Sequence, residues 1–283
     1  PNPGKLHPSL RNRLLFVSLF FLFASWGLFG SMPSFEDLEN PDSNLATEII
    51  SADGVVIGKY FEKNRSQLKY SDLPKNLVQA LVATEDARFY YHSGIDGRGT
   101  LRAILSFGTS GGASTLTQQL AKQLFHGEGS KFLPFRIIQK AKEWIIAIRL
   151  ERQYTKNEII AMYCNVYDFG NNSVGVNSAA KTYFSKEPKE LTISESAILV
   201  GMFKNSGLYN PVKNPEGVFN RRNVVLKQME KAEIITESQK LKLQSLPIKL
   251  NFKLESHKDG TATYFREYLI EYMKKWVEEY KKP

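Results

Sequence analysis

At 283 residues the chain can hold one sizeable domain with attachments. A hydrophobic share of 42% supports a buried core, and the single cysteine, Cys164, excludes an internal disulfide framework. Four histidines (His7, His92, His126, His257) lie far apart without paired-cysteine or H-E-x-x-H spacing, which argues against structural zinc. The net charge of +9 fits an anionic partner such as lipid headgroups, pyrophosphate or nucleic acid.

In chain order, the first feature is apolar. Leu14 to Phe35 (LLFVSLFFLFASWGLFGSMPSF) carries no charge over 22 residues. As a helix it is about 33 Å long, against a hydrocarbon core of about 30 Å, and reads as one transmembrane helix. Lys5, Arg11 and Arg13 precede it, and Glu36, Asp37 and Glu39 follow. That asymmetry makes residues 1–13 a cytoplasmic tail, 14–35 the anchor, and puts the remainder outside. The alternative is a cleaved signal peptide, whose apolar run is normally about 7–15 residues before an A-x-A site; no such site follows. Residues 36–75 read as a connector with short strands, with a hairpin at Asp53-Gly54.

From residue 76 the periodicity turns helical. Leu77, Val78, Leu81 and Val82 recur at i, i+4 behind Pro74. GTSGG (Gly108 to Gly112) is a flexible loop, and Thr115 to Gln118 opens a helix as a capping box. Arg136 to Arg152 is a long amphipathic helix, with Ile137, Ala141, Trp144, Ile145 and Ile148 expected on its core face. Two more boxes, Thr155/Glu158 and Thr192/Glu195, start the helices of EIIAMYCNVY and SESAILVGMF. Between them NNSVGVNSAA reads as a polar loop leading into small residues. The domain is mainly α, with no internal repeat and no α/β alternation.

Two carboxylates stand out. Glu85 lies in line with Leu77, Leu81 and Phe89 on the apolar stripe of its helix. Burial there disfavours the charged form, which suits a general base or acid. The alternative is a helix that ends near Thr84 and turns Glu85 to water. Glu143 shares a face with Arg136, Gln139 and Lys140. A carboxylate flanked by cations suits a phosphate-bearing substrate; an exposed Lys-Glu pair is the plain alternative. GGASTLTQQLAK places three hydroxyls, two amides and Lys122 on a helix whose amino end follows a glycine loop, a setting that favours an anion. Simple N-capping needs one hydroxyl and leaves the glutamine pair unexplained. Gly108, Ser110 and Gly112 match G-x-S-x-G, but that elbow requires a preceding parallel strand that this chain lacks.

Together the segments resemble glycosyltransferase family 51, the peptidoglycan polymerases. EDARFYYHSGID (Glu85 to Asp96) resembles that family's first signature, and GASTLTQQLAK (Gly112 to Lys122) the second. QKAKE (Gln139 to Glu143) falls where the third, R-K-x-x-E, belongs. TKNEIIAMYCNVYDFG and RRNVVLKQM are similar to the fourth and fifth. All five occur in family order over roughly residues 45–230, far beyond a chance match. The resemblance implies a lysozyme-like glycosyltransferase domain over 76–230, with a small jaw lobe beside a larger globular one. Glu85 is then the implied general base and Glu143 the second essential acid. Asp86, Arg88, His92, Ser114, Thr117, Gln118, Gln119, Lys122 and Lys140 are implied to line the donor and acceptor sites. Gln139 replaces the third signature's Arg, and Arg136, three residues earlier near the same face, is the candidate substitute.

The implied chemistry fits these residue types. The acceptor, lipid II, presents a sugar 4-hydroxyl that needs a base to take its proton. The donor glycan carries an α-linked undecaprenyl pyrophosphate, which leaves readily once its charge is neutralised by Lys122, Lys140 and Arg88. Single displacement inverts the anomeric centre to a β-1,4 link. No cofactor is required, and a divalent cation such as Mg at the pyrophosphate is left open. Implied partners are lipid II, the growing glycan strand and membrane lipids, with other cell-wall synthesis proteins as candidates; no nucleic-acid module is recognisable. The expected place is the bacterial cytoplasmic (inner) membrane, single-pass, with the catalytic domain outside.

Leu124, Phe125, Phe132, Leu133, Pro134 and Phe135 cluster where the family's jaw lies, and either dip into the bilayer surface or form local core. Residues 231–283 resemble the linker that leads to a transpeptidase in bifunctional penicillin-binding proteins. The chain has no K-T-G, since Lys181-Thr182 is followed by Tyr183, and its tidy S-x-x-K, Ser66 to Lys69, precedes the signatures. It is therefore expected not to bind penicillin itself. The competing readings are a membrane-bound glycan-cleaving enzyme of lysozyme type, which needs no pyrophosphate site, and a catalytically silent cell-wall scaffold.

Overall fold

The computed structural model describes residues 11, 12, 15, 19, 22, 23, 26, 47–54, 56–60, 64, 65, 68–105, 112, 114–125, 132–254 and 263–280. Most of the expected anchor and most of the GTSGG loop lie outside these residues. Among the described residues no helix is long and apolar enough to cross a membrane. The elements run β1 (Thr47–Ile50), β2 (Val56–Tyr60), β3 (Asn64–Arg65), α1 (Lys75–Glu85), α2 (Gly97–Leu105), α3 (Leu116–Phe125), α4 (Leu133–Gln153), α5 (Lys156–Val166), β4 (Ser173–Val174), α6 (Gly175–Phe184), α7 (Ile193–Met202), α8 (Pro215–Lys231), α9 (Glu237–Ser245) and α10 (Thr263–Tyr280), with single 3-10 turns between some of them. The protein is mainly helical. Packing divides it into two units, residues 1–42 with 85–163, and residues 43–84 with 164–283.

In the second unit β1 and β2 pair antiparallel, from Thr47↔Tyr60 to Ile50↔Val56. Asp53-Gly54 makes the expected turn: Gly54 adopts φ +82° and its N–H donates to Ser51 O at 2.9 Å. NNSVGVNSAA departs from expectation. Asn64-Arg65 pairs in parallel with Ser173-Val174, and α6 starts immediately afterwards. Gly175 allows this junction because a Cβ there would meet Asn165 O at 2.8 Å. The small residues that follow are buried packing residues, not a polar loop. Tyr183 at the far end of α6 donates to Phe169 O at 2.7 Å and accepts from Asn171 and Asn210 amides. Burial pushes its phenol up to about 12.

Helix α7 is buried from Ser196 to Met202 and apolar on every side from Ala197 on, as a central helix must be. Its Thr192/Glu195 capping box is formed as the sequence predicts. Helix α8 packs on it, burying Val218, Arg222, Val225, Leu226 and Met229. Arg222 is fully buried yet has no carboxylate partner among the described residues. Its guanidinium lies 4.6 Å from the Phe219 ring centroid and donates to Leu246 O at 2.8 Å and Gln244 O at 3.1 Å. Those carbonyls end α9, whose own start is a Thr236/Gln239 capping box. Helix α10 exposes Tyr264, Tyr268, Tyr272, Trp276 and Tyr280 at four-residue intervals.

In the first unit α3 and α4 pack together over Phe89, Leu116, Leu120, Ala121, Ile146, Ala147 and Leu150, all fully buried. The buried stripe of α4 differs from the expected one. Ala141 is buried as expected, but Ile137 is 54% exposed, Trp144, Ile145 and Ile148 are half-buried, and the other buried positions are Glu143, Ile146, Ala147 and Leu150. These buried positions lie two residues along from the expected ones, roughly 200° around the helix, on a face that includes the carboxylate the pattern grouped with the surface charges.

Candidate active site

Helix α1 ends on Glu85, half-buried, after the fully buried Leu77 and Leu81. The helix therefore does not stop at Thr84. Gln119 Nε2 donates to Glu85 Oε2 at 3.3 Å, and Gln119 Oε1 accepts from Tyr163 hydroxyl at 2.8 Å. The amide is thus oriented from behind, with its N–H turned to the carboxylate. One member of the glutamine pair left unexplained by capping has a partner here.

The next residue, Asp86, is buried and turns inward. His92 Nε2 lies 3.1 and 3.0 Å from its two oxygens, and Leu116 N–H donates to Oδ2 at 3.0 Å. A carboxylate only accepts, so Nε2 carries the proton. Both side chains are 5% exposed. Asp86 thereby joins the loop after α1 to the start of α3. Thr115 and Gln118 add to the same joint, both donating to Gly94 O, at 2.7 and 3.3 Å. Half of the expected capping box forms, since Gln118 N–H donates to Thr115 Oγ1 at 3.2 Å. The Gln118 side chain reaches Gly94 O, as the second donor to that carbonyl, and not the cap backbone.

Glu143 is 5% exposed. Lys140 Nζ donates to Glu143 Oε2 at 2.9 Å and to Ser114 Oγ at 2.8 Å. The Lys140 side chain is 40% exposed, and its ammonium has one N–H left over among the described residues. The plain alternative, an exposed Lys-Glu pair, does not hold for the carboxylate. Ser114, Thr115 and Leu116 thus carry, on three consecutive residues, the contacts to Lys140-Glu143, Gly94 and Asp86, and Glu85 is bonded to the same helix start separately, through Gln119. Thr117 is fully buried, its hydroxyl donating to Glu151 Oε1 at 2.6 Å, and does not reach a surface. Arg88 lies 3.6 Å from Asp96. Lys122 on α3 and Arg136 in the first turn of α4 are exposed; the described contacts do not join them to these groups.

Sequence reasoning passed over Tyr163, Glu151 and Lys156. Glu151 lies two i+4 steps beyond Glu143 on the same helix, and Lys156 and Tyr163 fall inside the fourth signature, so a signal existed for each. Among the described residues no three His, Cys, Asp or Glu converge as a metal-ligand set.

Residues 53–230 match the family model described as Transglycosylase, more than half of the chain. Relatives include "Penicillin-binding protein 1A" of Vibrio cholerae serotype O1, 39% identical over 212 residues, covering 74% of this chain and 25% of that protein. "Penicillin-binding protein 1F" of Bacillus subtilis strain 168 is 35% identical over 225 residues, covering 78% and 31%. The chain spans between a quarter and a third of the length of these relatives. The crystal structure of Penicillin-Binding Protein 1A from Haemophilus influenzae overlaps at a TM-score of 0.42 with 26% identity, over 82% of this chain and 24% of that one, too low an overlap to argue from. The family match, falling on the segment that carries the five signatures and the hydrogen-bonded carboxylates, places this chain in the transglycosylase family, the peptidoglycan glycosyltransferases.

Proposed function

We propose that the chain polymerises lipid II into β-1,4-linked glycan strands, with inversion and release of undecaprenyl pyrophosphate, at the outer face of the bacterial cytoplasmic membrane. The observation that carries this reading is a pair of carboxylates tied to one helix start. Glu85 is tied through Gln119 in the first turn of α3, and Glu143 through Lys140 and Ser114 just before it.

In this reading Glu85 takes the proton of the acceptor's 4-hydroxyl as that oxygen attacks the anomeric carbon. The bond from that carbon to the pyrophosphate oxygen breaks in the same displacement. Lys140, held by Glu143 with one N–H left over, faces the developing charge, with Lys122 and Arg88 as further cations. Asp86 and His92 act from within, fixing the loop that follows Glu85. The lysozyme-like division into jaw and globular lobe, the anchor at 14–35, the connector at 36–75 and the linker role of 231–283 belong to the same proposal. Phe132 and Phe135, each 60% exposed with ring centroids 5.5 Å apart, support a jaw that dips into the bilayer surface.

Glu85→Gln keeps shape and hydrogen bonding but not basicity, and lowers polymer formation from lipid II by at least about a hundredfold. Glu143→Gln is also severe. Near-normal polymer on a gel from a folded Glu85→Gln protein refutes the assignment, and shortening of preformed glycan by the wild type points instead to a cleaving enzyme.

A further inference from the structure

We infer that Lys156 is a positioning residue for the site, acting through a buried relay that runs from Thr117 through Glu151 to the backbone of His92. The inference rests on the reading above. Glu151 has a side chain only 4% exposed, and a single oxygen, Oε1, accepts from both Thr117 Oγ1 at 2.6 Å and Lys156 Nζ at 2.8 Å. Lys156 also donates to His92 O at 2.6 Å and lies 4.2 Å from the Phe89 ring centroid. Its ammonium thus has a carboxylate, a carbonyl and an aromatic face as partners.

What these anchors belong to gives the lysine its role. His92 O lies in the loop that carries Asp86 and follows Glu85. Glu151 lies on α4, which carries Glu143. Thr117 lies in the first turn of α3, which carries Gln119, the partner of Glu85. One cation therefore fixes three backbone segments whose side chains form the proposed centre, without any of the relay's groups serving as acid or base. Glu151 pairs the ammonium's charge, and the bond to the His92 carbonyl adds a second, directional tie to the loop that carries Asp86. Bonding that carbonyl sets the rotation of the peptide at His92, and so the direction from which Nε2 meets Asp86.

Lys156→Cys tests this, because aminoethylation of the new thiol rebuilds a lysine-like side chain. The chain's own cysteine, Cys164, is buried with its thiol pKa pushed well up, and does not compete. The expected result is a fall in kcat of roughly thirtyfold to a hundredfold with KM for lipid II within about threefold, and recovery on aminoethylation. Thr117→Val removes the other donor to Glu151 and lowers kcat in the same way. Should Lys156→Cys unfold, Thr117→Val alone decides. Imidazole nitrogen NMR on the folded protein gives a reading independent of turnover: the His92 Nε2–H signal shifts in either variant. If the wild type makes no polymer, the proposed function fails and the NMR arm still tests the relay. Unchanged kcat and an unmoved His92 signal overturn the inference. So does a loss confined to KM, or a loss of kcat that aminoethylation does not restore.

Discussion

Gly94 gives the sharpest test of how the site is built. It adopts φ +85°, and a Cβ there would lie 2.8 Å from Ala147 O and 2.9 Å from Ala147 C, both backbone atoms of α4. Two costs therefore meet in Gly94→Ala. The left-handed conformation costs an alanine roughly 1–2 kcal/mol, and pushing a methyl against backbone that cannot rotate away costs roughly 1–3 kcal/mol more. Two other glycines separate these terms. Gly54 adopts φ +82° with nothing within 4 Å of a Cβ, and Gly97 has neither the conformation nor a neighbour. Gly54→Ala is expected to lose about 1–2 kcal/mol, and Gly97→Ala about nothing, or to gain slightly. Gly94→Ala loses roughly 2–5 kcal/mol, about 4–20 °C in Tm at 2–4 °C per kcal/mol. Turnover falls with it, because Thr115 and Gln118 both donate to the carbonyl that must move. Thermal melts of the three variants, with polymerisation measured on each, provide the assay. Equal shifts at Gly54 and Gly94 would show that α4 yields to the methyl and that the close approach is not what fixes the site.

For membrane attachment, deleting residues 1–35 is expected to weaken liposome binding without abolishing it, while adding Phe132→Ser and Phe135→Ser removes roughly 2–4 kcal/mol more; complete loss on deletion alone counts against the jaw. Arg136→Ala is expected to raise the apparent KM for the lipid substrate roughly threefold to tenfold, with Gln139→Arg tolerated or improving it; an unchanged KM means that another cation holds the pyrophosphate. The pH dependence of stability is expected to show Glu195, whose pKa burial works to raise, while bonds from Lys186 and Thr192 outweigh that and hold it low. A depressed carboxylate stabilises above its unfolded pKa and loses that contribution as pH falls through the folded value. Lys186→Met therefore costs stability at neutral pH, and the gap from wild type narrows in acid; a constant gap in melts from pH 7 down to pH 2 would refute the linkage.

What the sequence revealed follows the range of the interactions. The boxes at Thr155/Glu158 and Thr192/Glu195 and the turn at Gly54 depend on neighbours three residues apart, and form as expected. Glu85 was marked by its place on an apolar stripe, which the chain carries locally. Glu143 was marked by the cations beside it, yet it lies on a buried face of α4 that the sequence pattern missed, since a pattern that counts charge as surface cannot see a carboxylate with an internal partner. Thr117 illustrates the other limit. Its type and place suggested a substrate contact, but Glu151, 34 residues away, takes its hydroxyl. Lys156 and His92 meet across 64 residues, a juxtaposition that periodicity does not encode. Gly94 is of the same kind, because only the approach of Ala147 shows why a side chain is forbidden there.

The buried arginine of α8 has a consequence for how the second unit responds to its medium. Arg222 holds the end of α9 through the carbonyls of Gln244 and Leu246, not through a carboxylate. An exposed ion pair fades as ionic strength shortens the Debye length from about 10 Å at 0.1 M salt to about 3 Å at 1 M. A guanidinium shut away from solvent against carbonyl dipoles has no such counter-charge to lose, nor any partner that acid can neutralise. The strand-like run beyond it, where Asn251 and Lys253 N–H groups donate to Tyr183 and Thr182 carbonyls, is likewise held by uncharged acceptors. The chain from Gln244 to Lys253 should thus stay seated through swings in salt and acidity that loosen the Lys181-Glu187 and Lys189-Asp72 pairs, and the Lys240-Glu230 pair nearer the start of α9, on the same unit.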